Sequence, residues 1–319
     1  MINFEDTIIA CSSPLGSGAI SCIRISGKDC PKIFKKITKK EIKHKKVSIS
    51  EIKLGNGIKE KCVLTSYLFP NSYTGEDTIE ISCHGSPYIQ QQILQCFIQH
   101  GVRIAEPGEF TKLAFQNGKI DLLKAESIGD LIASETEIQR RQAIDIMSGL
   151  HAKKYESWRQ KLLGILSNVE AKIDFPDEDL PKDILINIKK TSTDISTEIK
   201  KVLDDQRVGE RIREGFKIAI LGPANAGKST LLNYFSKREV AIVSEIAGTT
   251  RDVIETHLNI DGYPVIMSDT AGIRDAKDEI EKRGVKLALK QAEKADLNIV
   301  VIEPKSGYFT GVLKGLINS

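Results

Sequence analysis

With 319 residues the chain has room for two or three domains, and a hydrophobic content of 40% suits globular cores. No apolar run approaches the roughly 20 residues of a membrane-spanning helix, so we expect no membrane association. The first residues have the pattern of neither a signal peptide nor a transit peptide, which predicts a cytoplasmic protein. Because the 46 basic residues are nearly balanced by 43 acidic residues, the net charge of +3 does not by itself indicate a nucleic-acid partner.

Residues 1–118 have the mixed pattern of an α+β domain. Strand-like runs occur at 7–10, 19–26, 63–69 and 78–83, and helical patterns fall at 29–37 and 87–99. Pro107 is expected to open another helix, which Asn117-Gly118 would end.

A run of nine lysines lies between Lys28 and Lys46, with only Asp29 and Glu41 to oppose them. Contact with RNA is one interpretation of this run. Phe34 is the only Phe, Tyr or Trp within the run, however, so aromatic side chains are not regularly interleaved, and lysine is common throughout the chain. A solvated surface is therefore the favoured interpretation.

Residues 119–214 are expected to form a helical domain, because apolar side chains recur there at helical spacing. The first stretch runs from Leu122 to Met147. A second helix carries Trp158 through Ile173 and is stopped by Phe175-Pro176-Asp177, and a third spans roughly 184–213. Packing in a helical core explains these apolar stripes better than a cofactor pocket does.

From residue 215 onward the pattern becomes α/β. A buried strand near 216–221 leads into a glycine-rich turn and a helix. Strands at 253–260 and 263–268 are joined by Asp261-Gly262, which suits a two-residue hairpin turn. A helix near 279–294 and a strand at 297–302 follow.

The glycine-rich turn fits the phosphate-loop pattern of a glycine, four residues and then Gly-Lys-Ser/Thr. It runs from Gly222 to Gly227-Lys228-Ser229, between the buried strand and the helix. Glycines let backbone N–H groups wrap a polyphosphate, and the helix N-terminus adds partial positive charge. Lys228 would reach the terminal phosphates, and the Ser229 hydroxyl would ligate Mg²⁺. The pattern therefore predicts a nucleotide-phosphate site.

Two further elements distinguish a GTPase from an ATPase. Thr250, just before a strand, suits a switch residue whose hydroxyl completes Mg²⁺ coordination when the terminal phosphate is present. Asp269 begins an Asp-x-x-Gly motif, in which the carboxylate holds the Mg²⁺ shell and the Gly272 N–H meets the γ-phosphate. Together with the phosphate loop, these motifs favour a GTPase over a P-loop ATPase.

Catalysis must be arranged differently from that in Ras-like GTPases with a glutamine after Asp-x-x-Gly. Ile273 occupies that position here and cannot orient water through its side chain. Glu281 is the nearest substitute, and Asn225 offers a carbonyl oxygen that would hold a monovalent cation against the phosphates. The residues alone leave open the alternative that Asn225 only shapes the loop and Glu281 is a surface acid.

At these residues the chain resembles the MnmE/TrmE family of bacterial tRNA uridine-modifying GTPases. Outside the nucleotide motifs the resemblance rests on Ile23-Arg-Ile-Ser-Gly27, Ser72-Tyr-Thr-Gly-Glu-Asp77, Pro107-Gly-Glu-Phe-Thr111, Asn117-Gly-Lys-Ile-Asp121 and Asp174-Phe-Pro-Asp-Glu178. It implies an N-terminal α+β folate-binding domain, a central all-α helical domain, and a Ras-like P-loop α/β G domain inserted in the helical one. We place the boundaries at 1–118, 119–214 and 215–319.

The resemblance also implies a function and partners. Family members act with an FAD-dependent partner of the MnmG type, in a heterotetramer. Together they add a carboxymethylaminomethyl group to C5 of the tRNA wobble uridine, U34. Members form homodimers through the N-terminal domain, and their hydrolysis of GTP depends on K⁺.

Site residues follow from the resemblance position by position. Arg24, Glu80 and Lys119 match contacts of 5-formyltetrahydrofolate, and cationic side chains facing its glutamyl or formyl group make chemical sense. Ser229 and Thr250 match Mg²⁺ ligands, and Glu281 matches the catalytic glutamate, which favours the functional alternative. The matched K⁺ ligands are Asn225, Ser244, Ile246 and Thr249. The GTP contacts are expected at Asn225, Ala226, Gly227, Lys228, Ser229, Thr230, Ser244, Glu245, Ile246, Ala247, Gly248, Thr249, Thr250, Asp269, Thr270, Ala271 and Gly272.

The chain departs from the family pattern in three respects. Pro223 and Ala224 stand where the loop usually has a basic residue and a proline, and Ser244 replaces the usual threonine. After Ile302 the resemblance is lost, and neither the guanine-reading Asn-Lys-x-Asp motif nor the C-terminal Cys-x-Gly-Lys is present. We therefore expect an incomplete, truncated G domain and only the first half of the helical domain. The alternative function is a catalytically impaired fragment that acts only as a folate-binding dimerisation module.

Overall fold

The structure is a computed structural model that describes residues 6–14, 16–54, 57–174, 184–223, 226–238, 240–242, 254–269 and 289–302. The chain divides into two compact units, Met1–Ala125 and Glu126–Ser319. The domain boundaries at 118 and 214 stay predictions.

The first unit is built on a mixed sheet. Its strands are β1 (Ile8–Cys11), β2 (Ile20–Ser26), β3 (Val47–Lys53), β4 (Lys59–Tyr67), β5 (Thr78–His84) and β6 (Arg103–Ile104). They form one 6-stranded sheet in the order β3-β4-β5-β2-β1-β6. Neighbouring strands are antiparallel except for β1 and β6, which run parallel. The strands predicted from the sequence are confirmed, whereas β3 and β6 were not predicted.

Helices cover the apolar face of this sheet. They are α1 (Cys30–Thr38) and α2 (Pro87–Ile98), followed along the chain by α3 (Glu109–Gln116). Phe34 of α1, with Ile93 and Phe97 of α2, packs into a core with the inward-facing isoleucines of the strands. Both covering helices carry a proline in their first turn. N–H groups there have no partner within the helix, so the N–H that proline lacks costs no helical hydrogen bond. The predicted α+β architecture is confirmed.

The middle of the chain is helical, as predicted. Its helices are α4 (Leu122–Ala133), α5 (Glu137–Met147), α6 (Leu150–Asp174), α7 (Ile184–Leu203) and α8 (Val208–Glu214). A capping box between Thr136 and Gln139 starts α5. Where α6 packs against α7, the buried Trp158 indole donates a hydrogen bond of 2.6 Å to Glu198 Oε2.

The predicted single helix over 184–213 is wrong, because the chain breaks between α7 and α8. Gln206 and Arg207 have φ values of 55° and 61°, in the left-handed region that a helix excludes. Asp205 stabilises this turn, since its carboxylate accepts hydrogen bonds from the backbone N–H groups of Arg207 and Gly209. An aspartate that bonds the backbone locally thus ends one helix and begins the next.

Burial of the apolar stripes in this region is seen at only some positions. Trp158 and Ile195 are buried, as predicted. Leu162 and Leu166 are each 51% exposed and Ile173 is 69% exposed, so the prediction of core packing is wrong for these three. They lie on a face of α6 that no element within the described ranges covers.

A second mixed sheet follows the helices. Its strands are β7 (Phe216–Leu221), β8 (Val240–Ile242), β9 (Ile254–Ile260), β10 (Tyr263–Asp269) and β11 (Leu297–Val300), with helix α9 (Lys228–Arg238) after β7. The strand order is β11-β7-β10-β9-β8, and β7 runs parallel to both of its neighbours. Asp261 and Gly262 join β9 to β10 with positive φ values of 50° and 87°, which confirms the predicted hairpin.

Residues 289–294 are helical, and the remainder of the helix predicted near 279–294 lies outside the described residues. Among the helices that the structure describes, none combines the length and the apolarity needed to cross a bilayer.

Candidate functional site

The predicted phosphate loop lies at the carboxyl end of a central, buried strand. β7 ends at Leu221, and α9 begins at Lys228, so the glycine-rich turn occupies the crevice edge where parallel α/β sheets place ligands. Lys228 is only 6% exposed, and its Nζ donates hydrogen bonds to the carbonyl oxygens of Gly222 at 3.2 Å and Pro223 at 2.8 Å. The lysine is thus folded back over the loop that it would serve.

Two backbone segments lie so close together at position 222 that only glycine fits there. Its φ is +148°, and a Cβ at this position would collide with the carbonyl oxygen of Val301. Val301 in turn donates its N–H to Leu221 O at 2.8 Å, which holds the chain after β11 against the start of the loop. Gly227 also has a positive φ of 96°, but there a Cβ would meet nothing within 4 Å.

Several predicted contacts converge on this end of the sheet. Ser229 and Thr230 are exposed in the first turn of α9, beside Ala226 and Gly227 of the loop. The register of β7 and β10 places the backbone of Asp269 opposite Ile220, close to Gly222. The N-terminus of α9 adds the partial positive charge of its unpaired N–H groups. The predicted phosphate-binding groups and the backbone of the Asp-x-x-Gly aspartate therefore share one edge.

The other predicted residues of the nucleotide site lie outside the described residues. They are Asn225, Ser244, Glu245, Ile246, Ala247, Gly248, Thr249, Thr250, Thr270, Ala271, Gly272 and Glu281. All four predicted K⁺ ligands and one of the two Mg²⁺ ligands are among them. Within the described ranges, no group of three or more His, Cys, Asp or Glu side chains is arranged to hold a metal ion.

A charged cluster fixes the opposite end of β7. Asp296 accepts hydrogen bonds from the Lys217 N–H at 3.0 Å and from Arg211 Nε at 2.8 Å. Burial would raise the pKa of Asp296, but these hydrogen bonds and the charge of Arg211 hold it below its usual value. Because Asp296 directly precedes β11, the cluster aligns β7 with β11, whose carboxyl ends flank Gly222.

In the first unit, two of the three predicted folate contacts are neighbours. Arg24 on β2 and Glu80 on β5 are cross-strand partners, and Glu80 Oε1 accepts hydrogen bonds from Arg24 Nε at 3.0 Å and from its terminal guanidinium nitrogen at 2.7 Å. The guanidinium also lies 5.1 Å from the ring centroid of Tyr73 and 5.5 Å from that of Phe110. Arg24 is therefore held rigidly, with about a quarter of its side chain exposed.

Lys119, the third predicted contact, lines a neighbouring cavity of about 500 Å³. Its Nζ donates a 2.9 Å hydrogen bond to Pro70 O. Glu76 lines the same cavity, and its buried Oε2 has no hydrogen-bond partner in the described part of the chain. Burial raises the pKa of Glu76. Arg24 and Glu80 are not among the described lining residues, so the structure does not bring all three predicted residues into one cavity.

Sequence reasoning missed the aromatic rings beside Arg24 and the acid in the cavity. Tyr73 and Glu76 belong to the motif Ser72–Asp77, and Phe110 belongs to the motif Pro107–Thr111. Tyr73 is tied to Thr111 by a 2.9 Å hydrogen bond between their hydroxyls, so the two motifs meet in space. The presence of both family motifs in the sequence was a signal, but only the fold shows that they surround one arginine.

Comparison with known proteins agrees with this geometry. A family model described as "GTP-binding protein TrmE N-terminus" matches residues 7–119, and one described as "MnmE helical domain" matches residues 122–306, a range that includes the phosphate loop. The chain is 60% identical over 317 residues to the "tRNA modification GTPase MnmE" of Pelagibacter ubique (strain HTCC1062), covering 98% of this chain and 71% of that protein.

Two relatives from a second genus carry the same name. The protein of Rickettsia bellii (strain OSU 85-389) is 44% identical over 309 residues, with 94% of this chain and 69% of the relative covered. The protein of Rickettsia prowazekii (strain Madrid E) is 44% identical over 303 residues, with 93% and 68% covered. The identity extends over both compact units, and the chain therefore belongs to the MnmE/TrmE family of tRNA modification GTPases.

Proposed function

We propose that this chain binds and hydrolyses GTP at the phosphate loop, within a Ras-like G domain, as part of tRNA modification. The observation that carries the proposal is the loop itself. A buried parallel strand delivers Gly222 to a backbone contact that only glycine permits, and Lys228 is folded over the loop from the first turn of α9. This is the chemistry that a polyphosphate needs: backbone donors, a helix N-terminus and a positioned cation.

Each group in this site has a distinct task. Lys228 would exchange its bonds to loop carbonyls for the terminal phosphates, and backbone N–H groups around Gly227 would hold the phosphate chain. Ser229 and Thr250 would supply hydroxyl ligands for Mg²⁺, and Asp269 would hold the metal's water shell. When bound, Mg²⁺ supplies positive charge that offsets the charge of the phosphates. Ser229 is exposed at the loop, and the backbone of Asp269 is at the same edge, which supports this assignment.

Water activation is assigned to Glu281, because Ile273 cannot perform it. K⁺ would be coordinated by Asn225, Ser244, Ile246 and Thr249. It would place a positive charge at the position where other GTPases insert an arginine. The support for these five roles is the family membership and the available oxygen atoms: Asn225, Ser244, Thr249 and Glu281 offer side-chain oxygens, and Ile246 offers its backbone carbonyl.

The first unit is proposed to bind a reduced folate such as 5-formyltetrahydrofolate. Arg24 and Lys119 supply cations for its carboxylates, and Glu80 holds Arg24 in place. The buried Glu76 oxygen, which lacks a partner among the described residues, suits the amino N–H groups of a pterin ring. These residues fit a ligand that carries both carboxylates and ring donors, and the bound folate would carry a one-carbon group.

At the level of the whole reaction, we propose that the chain acts on the wobble uridine U34 of tRNA in the cytoplasm. It would form a homodimer through its first domain and a heterotetramer with an FAD-dependent partner of the MnmG type. The second candidate is a folate-binding dimerisation module without turnover. The ordered Arg24 environment favours folate binding in either case, so GTP hydrolysis is what distinguishes the candidates.

Replacement of Glu281 by alanine is expected to lower kcat for GTP about a hundredfold or more while leaving nucleotide affinity nearly unchanged. The reason is that an acid–base group acts in the transition state and contributes little to ground-state binding. Phosphate release and binding of a fluorescent GTP analogue measure the two quantities. Exchange of K⁺ for Na⁺ should slow the parent as well. Parent hydrolysis that is insensitive to both changes would contradict the assigned mechanism.

Replacement of Arg24 by alanine is expected to weaken 5-formyltetrahydrofolate binding by about 10- to 100-fold, measured by calorimetry. A charge-assisted hydrogen bond contributes roughly 1.5–3 kcal/mol, which corresponds to that range. Arg103→Ala is the matched control, because Arg103 pairs with the buried Glu109 at 2.6 Å. The control should lower stability without lowering folate affinity. Equal losses in both variants would show that Arg24 acts only through folding.

A further inference from the structure

A basic cavity lies at the edge of the first unit's sheet. It has a volume of about 420 Å³ and is lined by the end of α1 and by strands β3 and β4. Four exposed lysines contribute to the lining: Lys39, Lys40, Lys53 and Lys61. We propose that this cavity binds the phosphate backbone of the tRNA substrate, an inference that rests on the tRNA-modifying function proposed above.

Acidic side chains leave the charge of this cavity largely uncompensated. Glu51 supplies the one carboxylate among the described lining residues, and it pairs with Lys59 at 3.5 Å. The two acids of the adjacent lysine run pair with lysines outside the lining. In the part of the chain that the structure describes, no carboxylate pairs with Lys39, Lys53 or Lys61. The cavity therefore presents a positive potential to an anion.

A buried hydroxyl in the same cavity lacks a partner. Ser50 is 2% exposed, and its Oγ makes no hydrogen bond to any described residue. A buried polar group without a partner is unfavourable, and native proteins retain few of them. A phosphate oxygen in the cavity would accept this hydrogen bond while the lysines offset its charge. The hydroxyl is thus an independent sign of a ligand.

Structural roles account for only part of the lysine arrangement. Lysines near the end of α1 are favoured by the helix dipole, and lysines on the edge strand β3 discourage pairing with other chains. Lys61 lies on the second strand, directly opposite Glu51 in the β3–β4 register, and a cross-strand charge pairing accounts for its position there but leaves Lys53 without an acidic partner among the described residues. Lys39 moreover has a φ of 60°, in the left-handed region where glycine or asparagine normally ends a helix. Lys39 therefore places a charge at the cavity from a backbone conformation that costs free energy for a residue with a Cβ.

The lining chemistry favours a phosphate backbone over bases or a peptide. No aromatic ring and no arginine occurs among the described lining residues, so stacking on bases and bidentate pairing with carboxylates or guanines are absent there. Lysine acts as a point charge and contacts phosphates without reading sequence. The lining therefore suits contact with the phosphate groups of a folded RNA, without readout of its sequence.

The test is tRNA binding by the full chain in which all four cavity lysines are replaced by glutamine (K39Q, K40Q, K53Q and K61Q). The probe is a fluorescein-labelled tRNA transcript, and anisotropy is recorded at several salt concentrations. Affinity should fall at least about tenfold at 0.1 M salt, and the slope of log affinity against log salt should fall by about 2–4, because each lost phosphate contact contributes roughly 0.9. The GTPase rate without tRNA should be unchanged, which separates failure of this proposal from failure of the nucleotide site.

The matched control replaces Lys189, Lys190, Lys200 and Lys201, which are exposed on α7, by glutamine. It removes the same charge and should retain most of the affinity. A variant with arginine at the four cavity positions should bind tRNA like the parent, which keeps the test valid if the glutamine variant unfolds. Equal losses in the cavity and control variants, or no loss in either, would overturn the proposal. Loss of binding to phosphatidylglycerol vesicles without loss of tRNA binding would overturn it in favour of a membrane surface.

Ser50→Ala tests the hydroxyl separately. Removal of a buried group that lacks a partner should raise the melting temperature, whereas loss of a hydrogen bond to phosphate should weaken tRNA binding about fivefold. A purely structural serine would not give this opposite pair of effects. A lowered melting temperature with unchanged tRNA affinity would contradict the proposed contact.

Discussion

Replacement of Lys228 by alanine is expected to lower guanine-nucleotide affinity by about a hundredfold or more. The change removes the buried ammonium group that we propose to bind the terminal phosphates, and charge-assisted hydrogen bonds contribute roughly 1.5–3 kcal/mol each. It also removes the bonds of 2.8 and 3.2 Å by which Nζ holds the loop carbonyls. Titration with a fluorescent GTP analogue measures the loss.

Lys237→Ala provides the control for this prediction. Lys237 is an exposed residue of the same helix, α9, so its removal changes the net charge identically without touching the loop. It should bind nucleotide like the parent. Binding by Lys228→Ala that equals binding by the control would contradict the phosphate-loop assignment.

Replacement of Gly222 by alanine is expected to destabilise the second unit by about 2–5 kcal/mol. The estimate combines the cost of a positive φ for a residue with a Cβ and the cost of forcing extra atoms into a packed site. The new methyl group would collide with the Val301 carbonyl oxygen, which is backbone and is held by the Leu221–Val301 hydrogen bond. Urea unfolding followed through Trp158, the single tryptophan of the chain, reports on this unit.

Two other glycines separate the causes of that effect. Gly227→Ala meets no atom within 4 Å but has a φ of +96°, so only the conformational cost of about 1–2 kcal/mol is expected. Gly164→Ala, on the exposed side of α6 with no atom within 4 Å, should stabilise the protein by about 0.5–1 kcal/mol. A Gly222→Ala variant that unfolds at the same urea concentration as Gly227→Ala would show that the collision is relieved.

Local chemistry was sufficient to predict several elements. The Asp261-Gly262 hairpin followed from the need for two positive φ values, and the strand–loop–helix around Gly222 followed from a motif with a mechanical reason for each residue. The break after α7 was not predicted, because apolar spacing continues through it. The deciding interaction is the hydrogen bonding of Asp205 to its own backbone, which periodicity does not register.

Strand β3 shows a second limit of sequence patterns. Its apolar residues lie on both faces, with Ile52 buried and Ile49 56% exposed, so the expected alternation is broken. The sequence pattern predicts a solvated surface for the lysines around this strand. Only the fold shows that Lys39 and Lys61, far apart in sequence, line one cavity.

The two candidate sites also differ in how much of each the sequence predicts. The phosphate loop is contiguous in sequence and was found by its spacing. The surroundings of Arg24 depend on the cross-strand register that places Glu80 beside it, and on the turn before β5 and helix α3, which bring Tyr73 and Phe110 respectively to its guanidinium. Such contacts between distant segments follow from tertiary packing, and no local propensity encodes them.

Release of inorganic phosphate from GTP by the full chain, in Mg²⁺ and KCl, tests the central claim of nucleotide hydrolysis at the phosphate loop. We predict steady release that is lost in Lys228→Ala, falls when Na⁺ replaces K⁺, and is unchanged in Lys237→Ala. A parent chain that binds 5-formyltetrahydrofolate but releases no phosphate from GTP would contradict the claim and favour the folate-binding module.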